Sequence, residues 1–123
     1  VVHSHSKWAS ILSCMRISIS SFHYMVAEFG GNDIKCSKYA TFGSEKLSKY
    51  VNKVLHKRKG CLIANHGQVT IGDSLEEAVD LSIALEKLSE QFYYLLITKQ
   101  TKLLSNEEMR KIVKLFEDYK AKH

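Results

Sequence analysis

Apolar residues recur along this chain with two periods: every three to four positions, which reads as helix, and in alternating or short continuous runs, which read as strand. Trp8, Ile11, Leu12 and Met15 share one helical face and predict a helix over Lys7–Met15. Leu47, Tyr50, Val51, Val54 and Leu55 form a second stripe behind Ser44, an N-cap residue with Glu45 in the first turn. A long third helix follows Ser74, with Glu77 at the capping-box position and Ala78, Leu81, Leu85, Leu88, Phe92 and Leu95 on its buried side. A last helix starts after Ser105, again with a glutamate three residues on, and carries Met109, Ile112, Val113 and Phe116 towards Tyr119. Strands are expected at residues 1–5, 61–64 and 68–71. The alternating, aromatic stretch 17–27 also reads as extended, up to the turn Gly30-Gly31-Asn32-Asp33. Strands interleaved with helices in this order imply a layered α/β domain.

Composition narrows the class without changing that picture. A chain of 123 residues, 45% hydrophobic and 25% charged, is the size of one domain. Its net charge of +5 raises the question of nucleic acid. The basic residues are spread out, however, and the one compact cluster, His56-Lys57-Arg58-Lys59, reads as a solvated helix end whose cations favour the negative pole of the dipole. No nucleic-acid partner is expected. Cys14, Cys36 and Cys61 form no C-x-x-C pair, so neither a disulfide framework nor a cysteine zinc site is indicated, and a reducing, cytoplasmic setting follows. No apolar run approaches the roughly 18 residues of a membrane span, and no leader pattern is visible, so no membrane partner is expected.

The candidate chemistry lies in two short motifs. In a strand, residues i and i+2 face the same way, so His3 and His5 of His3-Ser4-His5 present two imidazoles side by side. His66 ends the run Cys61-Leu62-Ile63-Ala64 and precedes Gly67, where a third imidazole could converge. Three neutral nitrogen donors with an open fourth position suit a catalytic divalent metal. A strand histidine is otherwise a satisfied polar residue, so the surrounding context decides. His23 is expected to be structural, pointing opposite to Tyr24, and His56 and His123 to lie on the surface.

That context comes from five ordered stretches: His3-Ser4-His5, residues 22–32 from Phe22-His23-Tyr24 to Gly30-Gly31-Asn32, Tyr39-Ala40-Thr41-Phe42-Gly43, Asn65-His66-Gly67, and Leu104-Ser105-Asn106-Glu107-Glu108 with Tyr119 beyond. With these the chain resembles the class II aldolase family, the zinc-dependent sugar-phosphate aldolases and epimerases. The resemblance implies a three-layer α/β/α fold around a largely antiparallel sheet, and one Zn2+ per subunit held by His3, His5 and His66. It implies a metal-dependent aldolase that cleaves a ketose 1-phosphate, of the L-fuculose 1-phosphate type, to dihydroxyacetone phosphate and an aldehyde. Tyr24 matches a proton donor that reaches a neighbouring subunit's site, and Tyr119 a tyrosine that closes over the sugar, in a homotetramer. In the family a metal-binding glutamate, which is also the base, and the phosphate-binding loops precede the H-x-H strand. This chain opens on that strand, so residues 1–123 are expected to be a partial domain lacking the family's N-terminal segment. Two alternatives stand beside the aldolase: an L-ribulose-5-phosphate 4-epimerase-like enzyme, which the stretch Tyr24-Met25-Val26-Ala27 resembles less, and a non-catalytic assembly module such as the adducin head.

Overall fold

The computed structural model describes residues 1–122; the expectation for His123 lies outside them. In chain order the elements are β1 (Val2–Ser4), α1 (Lys7–Met15), a 3₁₀ segment (Tyr24–Phe29), β2 (Cys36–Ser37), α2 (Glu45–Leu55), β3 (Gly60–Ile63), β4 (Gly67–Thr70), α3 (Leu75–Thr98) and α4 (Asn106–Lys122). The strands form one sheet in the order β1-β4-β3-β2. β4 is antiparallel to both β1 and β3, with Ile63 opposite Gly67 across the hairpin and His3 opposite Val69. β2 and β3 run parallel, which makes the sheet mixed where a largely antiparallel one was expected. The cause is connectivity: α2 carries the chain back from β2 to β3, and a helical crossover returns a strand in its original direction.

Side-chain alternation assigns the two faces of the sheet. Cys61, Ile63 and Val69 face α2, whose Leu47, Val51, Val54 and Leu55 cover them. Leu62 points the other way, into a core with Leu12 of α1, Leu81, Leu85 and Leu88 of α3, and Met109 of α4. These layers give the three-layer α/β/α arrangement that the resemblance implied.

Stretch 17–27 departs from its extended reading. Only Ile19 stays in a bridge, exchanging two 2.9 Å backbone hydrogen bonds with Ile34. From Tyr24 the chain coils, because burying Val26, Ala27 and Phe29 together needs a helical spacing. His23 starts this coil by accepting the Met25 N–H at Nδ1 (3.1 Å). Its structural role holds, but its ring stacks on Tyr24 at 5.1 Å rather than pointing away, since strand alternation does not apply in a 3₁₀ turn.

The basic cluster after α2 also differs from the solvated end expected. Arg58 donates to the Asp33 carboxylate (2.7 Å) and to its carbonyl (2.6 Å), and Lys59 pairs with Glu77 (3.1 Å). The chain enters β3 directly after α2, and the Lys59 N–H bonds the Phe29 carbonyl, so Arg58 is drawn under the glycine turn.

Glu77 joins four parts of the molecule. It accepts from Lys120 at the end of α4 (2.8 Å), from Lys59 (3.1 Å) and from the Asp73 N–H (3.1 Å), while its own N–H bonds the Ser74 cap. Lys120 foremost holds the Glu77 carboxyl down to about 2, from an ordinary 4.5. A carboxyl with a depressed native pKa stabilises the fold fully above its unfolded value and loses that contribution as pH falls towards the native one. Glu77→Gln is therefore expected to lower stability at pH 7 by about 1 kcal/mol and to flatten the loss of stability between pH 4.5 and 2. Urea denaturation of both proteins across that range measures the difference.

Candidate metal centre

Edge strand β1 presents His3, His5 follows directly after it, and the β3–β4 turn brings His66 to them. The three ring centroids are 4.9 Å apart in every pairing, and each residue offers a ring nitrogen within 4.8 Å of the others'. His3 Nδ1 lies 2.7 Å from the Gln68 carbonyl oxygen. A carbonyl only accepts, so Nδ1 carries the proton and Nε2 is left as the ligating nitrogen. That Nε2 lies 3.1 Å from His5 Nε2, so the two ring nitrogens face one place. The pKa of His66 lies below the usual imidazole value, first through burial and then through the neighbouring His3 and His5, which favours the neutral form that binds metal. A converging set of three imidazoles, with His3 Nε2 left to ligate, fits a divalent ion such as zinc.

Long-range contacts hold this geometry. The turn closes through the His66 N–H to the Ile63 carbonyl (3.0 Å), with Asn65 in the left-handed region (φ 55). At Gly67 a β-carbon would overlap the Ser4 carbonyl oxygen and sit 3.2 Å from His5 Cα, so only glycine lets β4 lie so close to β1. Gln68 is fully buried, and its amide donates to Ser6 Oγ (2.9 Å) and the Ser82 carbonyl (3.1 Å) while accepting from Ser82 Oγ (3.1 Å). With Ser6 engaged this way, Glu86 of α3 caps α1 instead, accepting the Trp8 and Ala9 N–H groups at 3.0 and 2.9 Å. Sequence reasoning missed Gln68 and Glu86. A glutamine inside the run Gln68-Val69-Thr70 was the available signal, since a polar residue in a buried strand needs partners.

The two tyrosines lie elsewhere. Tyr119 lines a cavity of about 590 Å³ with Glu28, Lys59, Glu77, Phe116 and Lys120, and Tyr24 stacks on Phe116 at 6.2 Å. Lys59 and Ile71 mark the open end of the β3–β4 hairpin, bonded to each other, while His66 is at its turn. Four residues per strand at 3.3 Å each put about 13 Å between the two ends. The structure thus brings His3, His5 and His66 together and leaves Tyr24 and Tyr119 at the opposite end of the same chain. Glu28, half-buried with its pKa raised chiefly by burial, is also at that far end.

The profile of the class II aldolase and adducin N-terminal domain matches residues 1–93. The chain belongs to this family. It is 39% identical over 119 residues to a 5-methylthioribulose-1-phosphate/5-deoxyribulose-1-phosphate aldolase of Rhodospirillum rubrum, covering 97% of this chain and 54% of the relative. It is 38% identical over 120 residues to an L-fuculose phosphate aldolase of Escherichia coli K12, covering 97% and 56%. A solved L-fuculose 1-phosphate aldolase superposes with a TM-score of 0.89 at 28% identity, covering 94% of this chain and 54% of that one. The chain spans about half the length of the curated relatives it matches. Within this class II aldolase domain, the contact at Gly67 can be tested alone. Gly67→Ala is expected to force β1 away from β4 and to lower the unfolding free energy by about 1–3 kcal/mol, the usual cost of overpacking, read from urea denaturation followed by circular dichroism.

Proposed function

We propose that this chain is the metal-holding part of a zinc-dependent aldolase that cleaves a ketose 1-phosphate, of the L-fuculose 1-phosphate type, to dihydroxyacetone phosphate and an aldehyde. The observation that carries the reading is the convergence of three imidazoles with His3 locked in the ligating tautomer. Family membership supports it, as do the relatives named for fuculose phosphate and for 5-methylthioribulose or 5-deoxyribulose 1-phosphate. A non-catalytic assembly role would leave this converging set without a purpose. Its three free cysteines suit a reducing cytoplasm.

His3, His5 and His66 would hold the ion, which when bound supplies Lewis-acid polarisation of the substrate's ketone and adjacent hydroxyl. The Gln68 carbonyl keeps the His3 proton on Nδ1 and so keeps Nε2 available. Tyr24, half-exposed on its 3₁₀ turn, is assigned as the proton donor, and Tyr119 as the residue that closes over the sugar. Because both lie at the far end of their own hairpin, the reading has them act on a neighbouring subunit's metal centre, in a cyclic tetramer. The three-imidazole cluster contains no carboxylate to take the hydroxyl proton.

Three outcomes are expected. Protein purified without a histidine tag binds one zinc per chain, and His5→Ala or His66→Ala abolishes stoichiometric binding; metal analysis showing none, or no change in the variants, would overturn the metal reading. A coupled assay for dihydroxyacetone phosphate, with L-fuculose 1-phosphate and 5-deoxyribulose 1-phosphate in turn, shows the 123-residue chain about 10²- to 10⁴-fold slower than an L-fuculose phosphate aldolase run in parallel, the usual worth of a general base. In an active oligomer carrying this sequence, mixing His66→Ala with Tyr24→Phe subunits restores part of the activity that each lacks, and no recovery after verified exchange removes Tyr24 from the neighbouring site.

A further inference from the structure

The end of α1 grips the turn that carries His66 through contacts beyond those a hairpin needs. Ser13, fully buried, accepts the Asn65 N–H at its carbonyl (2.9 Å) and the His66 N–H at its hydroxyl oxygen (3.2 Å), while that hydroxyl donates to the Ser10 carbonyl (2.7 Å). Arg16, the left-handed C-cap of α1 (φ 54), donates from Nε to Asn65 Oδ1 (2.7 Å) and sets its guanidinium 5.4 Å from the centre of the Tyr39 ring. Asn65 is therefore held at its backbone and at its side chain, in a conformation that residues with a β-carbon seldom adopt. The turn's own bond, His66 N–H to Ile63, fixes the loop's closure but leaves Asn65 free to leave the left-handed region, which would rotate the following imidazole.

We infer that Ser13, Arg16 and Asn65 are positioning residues that hold His66 against His3 and His5 in the ligating arrangement. The inference rests on reading those three histidines as metal ligands. None of the positioning residues supplies a metal ligand; they act by raising the fraction of molecules in which the third imidazole is in place. Apparent affinity falls in proportion when that fraction falls, so a loosened turn weakens metal binding with all three ligands still present.

Substitutions at Arg16 and Asn65 separate this from a role in folding. Arg16→Ala removes the donor, and Asn65→Gly keeps the left-handed turn while removing the acceptor. Asn65→Asp preserves both turn and acceptor. Two measurements on the 123-residue chain read the effect: zinc affinity by competition with a chromophoric chelator, and amide hydrogen exchange at His66 and Gly67 in metal-free protein. Arg16→Ala and Asn65→Gly are expected to weaken zinc binding about 10- to 100-fold, the range for groups that orient ligands, and to speed exchange at the turn. Asn65→Asp should keep slow exchange and bind zinc at least as tightly as the wild type. Unchanged affinity in Arg16→Ala and Asn65→Gly, with or without faster exchange, overturns the positioning role while leaving the metal reading intact. A wild-type chain that binds no zinc overturns both.

Discussion

Gln68 is a buried amide in the middle of a four-stranded sheet, and the arrangement of the three histidines depends on its being satisfied. Leaving such a group without partners in an apolar interior costs about 1–3 kcal/mol, so the neighbouring elements are held where its bonds can form. Its side chain ties the turn after β1, through Ser6, to the first third of α3, through Ser82. Its main-chain carbonyl, on the same residue, fixes the proton of His3. One residue thus sets both where the H-x-H strand lies and which nitrogen of its first histidine can bind a metal. The diversion of Ser6 to Gln68 has its own consequence: α1 loses its local cap, and Glu86 replaces it from across the fold. The helix whose far end grips the His66 turn is therefore anchored at both ends by long-range hydrogen bonds.

The β3–β4 hairpin divides the molecule's chemistry between its ends. At the turn the three imidazoles converge, with the pKa of His66 lowered first by burial and then by His3 and His5. At the open end the charged groups of Lys59, Asp73, Glu77 and Lys120 form a network that fastens the last turns of α4 to the start of α3. The ammonium groups of Lys59 and Lys120 are thus set about 13 Å from the turn, beyond the roughly 8–10 Å over which salt screens exposed charges, while the Arg16 guanidinium bonds Asn65 at the turn itself.

What could be read from the sequence was local. Helix stripes and caps were legible because each depends on residues within a few positions, and Ser44, Ser74 and Ser105 do accept the N–H three residues on. The convergence of the three histidines was legible because strand alternation pairs His3 with His5 and because Asn65-His66-Gly67 marks a turn. Features that depend on distant partners were not. The segment after Phe22 shows an aromatic alternation that suits a strand, yet the core's demand for Val26 and Phe29 together coils it. Arg58 and Lys59 look like solvent-facing cations until the fold supplies Asp33 and Glu77, 25 and 18 residues away. Gln68, Glu86 and Ser13 carry no motif, and their partners lie up to 78 residues distant.

The exposed position of His3 and His5 on an edge strand bears on how such a site could work. Both side chains lie on the sheet face that α2 covers, since His3 sits opposite Val69, but the α2 side chains reach only as far as Val69 of β4 and leave His3 and His5 exposed. Imidazoles in that position are within reach of a substrate and of water alike. Polarising a ketone is worth more when water is excluded, because the electrostatic effect of the ion grows as the local dielectric falls. On the proposed reading, a neighbouring subunit that brought Tyr24 and Tyr119 over this edge would close the site and deliver the proton donor in one step. The same packing would explain why aromatic groups lie exposed at one end of the chain and metal ligands lie exposed at the other: each end is half of a site, and only assembly would bring the halves together.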